Sequence, residues 1–250
     1  MLAVELSFSW KGIFYQHEME QLKILQDLFE SLPPEQALVK AAALFPGRTR
    51  LSTSLGQEDQ VLTDMIARQG ADVNIFTIDT GRLFNETYDT IEKTRARYRL
   101  GINVFFPQAE AVQEMVNVGG VNLFYDSIAS RQACCNVRKV EPLNRALEGA
   151  AIWITGLRAS QNDHRKNLRQ VEWLEDREMY KINPLLYWSY EDVMNYIRQY
   201  SVPYNTLHDQ GFVSIGCAPC TRAIAEGEDP RAGRWWWENS HKECGLHLVK

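Results

Sequence analysis

Apolar residues along this chain recur at two alternating periods. From His17 to Leu32 the spacing is helical, with Met19, Leu22, Leu25 and Phe29 on one side. Pro33-Pro34 breaks that helix, and Pro34 suits the first turn of a second one running to Phe45. Strands are then predicted over 50–55, 73–78, 102–106 and 151–155. Helices are predicted over 58–68, 86–98, 109–118 and 137–147, the last kinked at Pro142. In the first of these, Val61, Leu62, Met65 and Ile66 point inward. The first fifteen residues are mixed, and an edge strand and an ordered arm fit them equally.

Strands alternating with helices predict an α/β fold, a mostly parallel sheet flanked by helices. Ligands of such sheets lie beyond the carboxyl ends of the strands, near the switch point. Gly56, Asp79-Thr80-Gly81 and Gly156 fall there. After Leu157 the pattern changes. Residues 161–169 read as a mobile polar loop. Ser189 caps a helix to Tyr200, with Asp192 placed to complete a capping box. Beyond Val202 few periodic segments remain. The expectation is one domain over residues 1–250, with an α/β core over about 37–200 and an irregular cysteine-bearing tail over 201–250.

A chain of 250 residues with 45% hydrophobic and 24% charged content has the balance of a soluble globular protein. Its net charge of -5 speaks against a non-specific nucleic-acid binder. No stretch approaches the roughly 18 apolar residues of a membrane span. Glu5 interrupts the first apolar stretch, so no secretory signal is expected. A reducing cytoplasmic location follows. There, paired cysteines read as metal or redox chemistry and not as a disulfide frame.

Five cysteines carry the candidate chemistry. Cys134 and Cys135 are adjacent, with Arg138 and Lys139 close behind, and Cys217-Ala218-Pro219-Cys220 follows far downstream. A disulfide between neighbours strains its own geometry. Four thiolates suit Zn²⁺ or a [4Fe–4S] cluster, and spacing does not choose between them. Buried free cysteines are the competing reading. Lys139 would lie near any anion bound above these sulfurs. Cys244 is left over, with Lys242 and His247 able to lower its thiol pKa and make it a nucleophile. Taken alone, basic neighbours around a tail cysteine are more often incidental.

Three turns are candidate ligand sites. Thr53-Ser54-Leu55-Gly56-Gln57-Glu58-Asp59 joins a strand to a helix and offers backbone N–H groups to a phosphate. Spacing alone favours a plain strand–helix turn there, and no Walker A ending is present. Asp79-Thr80-Gly81-Arg82 can aim Arg82 at an anion or form a tight turn with a solvated arginine. Gly156-Leu157-Arg158 opens the polar loop containing Gln161, Arg165 and Arg169, a ligand-closed lid or an exposed charged loop. Trp235, Trp236 and Trp237 read as packing anchors.

With these residues assembled, the chain resembles the assimilatory adenylylsulfate (APS) reductases of the phosphoadenylylsulfate (PAPS) reductase family. The likeness runs from about Ala37 to His247 and is most specific at Cys134-Cys135 with Cys217-x-x-Cys220, and at Glu243-Cys244-Gly245-Leu246-His247. The three turns are similar to the family's nucleotide-site loops. The Thr53 loop departs from the Ser-Gly-Gly-x-Asp-Ser pattern of the related ATP pyrophosphatases and from the Ser-Gly-Ala-Glu-Asp form of many APS reductases.

The resemblance implies an adenine nucleotide α-hydrolase-like sheet and a [4Fe–4S] cluster on Cys134, Cys135, Cys217 and Cys220. It implies that Thr53, Ser54, Gly56, Asp79, Thr80, Gly81, Arg82, Gln161 and His247 line the substrate site. Lys139, Arg158, Arg231 and Arg234 would contact the phosphosulfate. Cys244 would attack sulfur to give an S-sulfocysteine and AMP, in the sulfate assimilation that feeds cysteine biosynthesis. With four cysteines on the cluster, no resolving cysteine remains in the chain, so thioredoxin or glutaredoxin is the expected donor. Neither nucleic acid nor membrane is an expected partner, and the oligomeric state, a homo-oligomer included, stays open. PAPS, or both nucleotides, is the alternative substrate. An ATP-dependent sulfur-inserting tRNA enzyme and a zinc-stabilised nucleotide-binding module are the other classes.

Overall fold

The structure, a computed structural model, describes residues 2–161, 165 and 167–238, with side chains described from residue 16 onward. One sheet runs in the order β3-β2-β1-β4-β6-β5. Its strands are β1 (Thr49–Ser52), β2 (Asn74–Ile78), β3 (Ile102–Phe105), β4 (Ile152–Ile154), β5 (Val171–Leu174) and β6 (Met179–Ile182). All pairs are parallel except β5 with β6. β2 and β3 lie to one side of β1 and β4 to the other, so the switch point falls between β1 and β4.

The apolar runs anticipate β1 to β4. They do not anticipate the β5–β6 hairpin, whose strands have four residues each. Glu172 and Lys181 break the apolar runs there, and they pair with each other across the hairpin at 3.3 Å. β1 stops at Ser52, earlier than expected, because Leu55 adopts φ 63°.

The helices are α1 (Leu2–Ser31), α2 (Pro34–Leu44), α3 (Gln57–Gln69), α4 (Asn85–Tyr98), α5 (Ala109–Gly119), α6 (Ile128–Cys135), α7 (Glu141–Leu147) and α8 (Tyr190–Tyr200). Of the first fifteen residues, Leu2 to Tyr15 therefore form neither an edge strand nor an arm. They extend the helix expected from His17, and propagating an existing helix costs far less than nucleating a separate element. α1 packs on β5, with the Tyr180 hydroxyl donating to the Glu18 carbonyl at 3.0 Å. It thereby covers the antiparallel edge of the sheet.

Neighbouring side chains along the strands enter opposite cores. Leu51, Ile75, Ile152 and Ile154 pack with Leu38 of α2, Val61, Leu62 and Met65 of α3, and Val193 and Ile197 of α8. Phe76 and Trp153 pack on the other side with Leu143, Ala146 and Leu147 of α7. Burial on both faces explains the unbroken apolar Ile152–Ile154 of β4. The capping box of α8 forms as expected: the Ser189 hydroxyl accepts from the Asp192 N–H at 3.1 Å, and the Asp192 carboxylate accepts from the Ser189 N–H at 2.8 Å.

The helix expected over 137–147 begins earlier and is interrupted. α6 leads into a wide π turn over Asn136–Val140, where the Glu141 N–H bonds the Asn136 carbonyl five residues back. Pro142 has no N–H, and in a regular α turn its ring would press on the Arg138 carbonyl. The widened turn relieves that conflict. It also carries Arg138 and Lys139 directly after Cys134 and Cys135.

Candidate active site

A cavity of about 730 Å³ opens beyond the carboxyl ends of β1, β2 and β4. Phe76, Ile78, Leu143 and Trp153 give it an apolar side, and Lys139, Arg158, Arg231 and Arg234 are cations in its wall. Thr53, Ser54, Gly56, Thr80 and Gln161 also line it. The volume is that of a small-molecule site.

The turn after β1 is already densely bonded. The Leu55 N–H donates to the Thr53 hydroxyl at 2.9 Å, and the Thr53 N–H to the Phe76 carbonyl at 2.8 Å. The Asp59 carboxylate accepts from the Ser54 N–H at 2.6 Å and from its hydroxyl at 2.8 Å. Burial pushes the Asp59 carboxyl up to about 6, although the Ser54 hydrogen bonds oppose it. A Cβ on Gly156 would collide with that carboxylate, so glycine is required where the turns after β1 and β4 meet. Gly56 caps α3 without a side chain of its own. The first turn of α3 therefore keeps the positive helix end towards the cavity.

The turn after β4 is tied back by Glu58. Its carboxylate accepts from Arg158 Nε at 2.8 Å and from Gln161 Nε2 at 3.0 Å, while Gln161 Oε1 accepts from the Arg158 N–H at 3.1 Å and from Arg165. Arg158 is 6% exposed. Its Nη1 also donates to the Ser160 hydroxyl at 2.7 Å. Sequence reasoning included Glu58 and Asp59 in a candidate ligand turn but gave neither carboxylate a role there. Such roles leave no signal in spacing, because Glu58 orients an arginine from another loop and Asp59 the Ser54 donors of its own turn.

The turn after β2 divides between two cavities. Thr80 faces the large one, where its hydroxyl meets the Cys217 sulfur at 3.3 Å. Asp79 points away from it, accepting from the Gly81 N–H at 2.7 Å and the Tyr88 hydroxyl at 3.0 Å. Arg82 is bonded to Asn122 Oδ1 at 2.7 Å and to the Val121 carbonyl at 3.0 Å, and lines a second, smaller cavity. Asp79, Gly81 and Arg82 are thus outside the lining of the large cavity. The turn spends Asp79 on its own closure and sends Arg82 across to the loop before α6.

The smaller cavity gathers Cys134, Cys135, Cys217 and Cys220 with Arg82, Arg131, Arg138, Lys139 and Trp235. The loop bearing Cys217 and Cys220 is held to the β2 turn by the Ala218 N–H, which donates to the Arg82 carbonyl at 2.8 Å. Burial and the other sulfurs push the Cys220 thiol up to about 12 and raise Cys134 as well. Burial acts the same way on Cys217, but Lys139, Thr80 and Arg234 outweigh it and hold that thiol below its ordinary value.

Four sulfurs around one cavity, with four basic side chains about them, form a donor set and a charge balance that fit an anionic iron–sulfur cluster. Among the described residues, no group of three or more His, Cys, Asp or Glu is placed to hold a single metal ion. The two cavities meet at Lys139 and Cys217, which line both.

Trp235 is 1% exposed and lies between Arg131 and Arg234, at 4.6 and 4.8 Å from its ring centroid. It is a packing anchor, as expected, and also a cation platform, whereas Trp236 is 40% exposed and anchors nothing in the core. Arg131 pairs with Glu238 at 2.6 Å. Sequence reasoning missed His208, which lines the large cavity from a turn without apolar period. Cys244 and His247 lie outside the described residues.

The mostly parallel sheet, with such a cavity at its switch point, has the adenine nucleotide α-hydrolase-like fold. The chain belongs to the phosphoadenosine phosphosulfate reductase domain family, whose model matches residues 48–223. It is 54% identical over 197 residues to the adenosine 5'-phosphosulfate reductase of Allochromatium vinosum, covering 78% of this chain and 77% of that one. It is 46% identical over 231 residues to the enzyme of the same name from Sinorhizobium fredii strain USDA 257, covering 92% of each. Among solved structures, the phosphoadenylyl-sulfate (PAPS) reductase of Candida auris, a phosphate complex, superposes with a TM-score of 0.69 at 30% identity, covering 81% of this chain and 96% of that one. The Candida glabrata FMN adenylyltransferase bound to FAD and pyrophosphate, at 16% identity and a TM-score of 0.53 over 91% of this chain and 78% of its own, shares the fold alone.

Proposed function

We propose that the chain reduces adenylylsulfate to sulfite and AMP at the expense of a dithiol, in sulfate assimilation and cysteine biosynthesis. The observation that carries this reading is the large cavity, whose apolar side suits a purine and whose wall holds Lys139, Arg158, Arg231 and Arg234 next to the cysteine cavity. The names of the relatives above support the same substrate.

The Cys244 thiolate attacks the sulfur of the sulfuryl group. A sulfur–sulfur bond forms, the sulfur–oxygen bond breaks, and AMP leaves with the electron pair on its phosphate. Thiolate and substrate are both anions, so approach in a site shielded from water is repulsive. The cations in the wall offset that repulsion and the charge that grows on the leaving phosphate. A thiolate of thioredoxin or glutaredoxin then attacks Cys244 Sγ and displaces sulfite. The donor's second thiol releases Cys244 as thiolate and closes the donor's disulfide, so two electrons pass from dithiol to sulfur. A reducing cytoplasm suits that donor.

Cys134, Cys135, Cys217 and Cys220 would hold a [4Fe–4S] cluster. When bound, it supplies a fixed anionic anchor joining α6 to the 217–220 loop. Lys139, which lines both cavities, would lie between that anchor and the substrate. Thr80 holds the Cys217 sulfur from the substrate side.

Protein purified without air and treated with adenylylsulfate should gain one SO₃ on Cys244 by mass spectrometry. Cys244→Ser should keep its iron and still bind AMP, yet form no adduct. An adduct on another residue, or turnover by Cys244→Ser, removes the nucleophile assignment. Comparing kcat/KM for adenylylsulfate and its 3'-phosphorylated analogue decides the substrate, and a large preference for the latter overturns the choice made here.

A further inference from the structure

Glu238 is the last of the described residues, and its carboxylate is gripped at two points. It accepts from Arg131 Nε at 2.6 Å and from Arg131 Nη2 at 3.1 Å. The Arg131 and Glu238 side chains are 5% and 3% exposed. The proposed chemistry gives this pair no task. Burying such a pair gains little stability over apolar packing of the same volume. What it does supply is direction, because two parallel hydrogen bonds between planar groups admit one orientation.

Both ends of the pair are fixed in turn. Arg131 lies on α6, about one helical turn before Cys134 and Cys135. The segment that delivers Glu238 is tied to the cysteine loop. The Arg222 N–H donates to the Gly233 carbonyl at 2.9 Å, and the Trp235 N–H to the Cys220 carbonyl at 3.3 Å. Arg234 is bridged to Thr221. Trp235 takes φ 40°, in the left-handed region that is costly for a residue with a Cβ, so the surrounding contacts hold it there. Its ring lies between Arg131 and Arg234, and Arg234 stands in the wall of the large cavity. One indole ring thus separates the pair from an arginine of the substrate site.

Cys244 follows Glu238 by six residues. Such a length of chain reaches no further than about 20 Å when fully extended. Where Glu238 is held therefore limits where the Cys244 sulfur can go.

We propose that the Arg131–Glu238 pair is the tether point of the nucleophile, a pair of positioning residues that sets the direction and reach of Cys244 towards the sulfur of the substrate. Neither side chain touches substrate. A fixed tether point raises the local concentration of the thiolate at the cavity, and a released one spreads it over a larger volume. Arg131 shares α6 with Cys134 and Cys135, so the same pair joins the tether to the cysteine cavity. The proposal rests on the reading of Cys244 as nucleophile, and the test keeps the two apart.

Wild type and Glu238→Gln, purified without air, are mixed with saturating adenylylsulfate in a single turnover, and the SO₃ adduct is timed by mass spectrometry. Glu238→Gln should form it about tenfold more slowly, with AMP affinity, iron content and the rate of sulfite release by thioredoxin unchanged. An unchanged rate of adduct formation overturns the proposal. So does an equal loss of AMP affinity or of iron, which would make the pair a support of the cavities and nothing more. Should Glu238→Gln fail to fold, Glu238→Asp decides. It keeps the charge but is one methylene short of the two-point grip, and should slow the adduct about threefold. A wild-type rate in that variant overturns the proposal while leaving the nucleophile reading intact. Wild type that forms no adduct on Cys244 removes both.

Discussion

The large cavity and the cysteine cavity meet at Lys139 and Cys217, yet they treat charge in different ways. The large one mixes signs. Glu58 holds Arg158 at 2.8 Å, and Asp59 occupies the Ser54 donors. Pairs of this kind keep arginine in place and can exchange one anion for another when a ligand enters. The cysteine cavity is one-sided. Arg82, Arg131, Arg138 and Lys139 face four sulfurs, and the neighbouring carboxylate, Glu238, is paired with Arg131. Cations gathered there need negative charge to balance them, and the thiolates of the proposed cluster would supply it. One side is built for exchange and the other for permanent occupation.

The largest test of that contrast sets two ion pairs against each other. Arg131→Met leaves Glu238 buried alone and should cost about 3–5 kcal/mol in chemical denaturation, with AMP affinity unchanged. Arg158→Met should do the reverse, weakening AMP at least about tenfold with a smaller loss of stability, if Arg158 holds the nucleotide as proposed. Equal losses of stability at the two sites would break the contrast.

Next comes the shared wall. Lys139→Met should lower kcat/KM for adenylylsulfate by about 100-fold while the protein keeps its iron. A fall in iron content of the same proportion would instead make Lys139 part of the cysteine side alone.

The smallest effect concerns Asp59. Its folded-state pKa lies above the ordinary carboxyl value, so folding favours the protonated form. That stability is fully present below the unfolded value and is lost as pH rises through about 6. Denaturation between pH 4 and 7 should show stability falling with pH by roughly 1–3 kcal/mol on this account, and Asp59→Asn should flatten that slope. An unchanged slope in the variant would assign the dependence to other groups.

Much of this was legible before any coordinates. Long apolar periods located α2, α3 and α4, and continuous runs located β1 to β4, because burial of a face or a whole strand leaves its record in every residue. The pairing of Cys134-Cys135 with Cys217-x-x-Cys220 was legible as a single thiol-rich site because that chemistry has few other uses. The β5–β6 hairpin was not, because Glu172 and Lys181 interrupt its apolar residues and α1 covers it from across the chain. Nor was the split of α6 from α7, where Pro142 was seen but the earlier helical start was not.

Residue type and spacing alone determined the class of sheet, the quartet of cysteines and the three turns after β1, β2 and β4. Only the tertiary structure decided which side chains in those turns face the ligand cavity: Thr80 does, while Asp79 closes its own turn and Arg82 crosses to Asn122. It also decided that Glu58 ties back Arg158, that Asp59 holds Ser54, and that His208 lines the cavity at all. The physical reason is that a local pattern reports how a residue serves its own helix or strand. What a side chain does for a distant loop depends on distances that exist only once the sheet has brought those loops together.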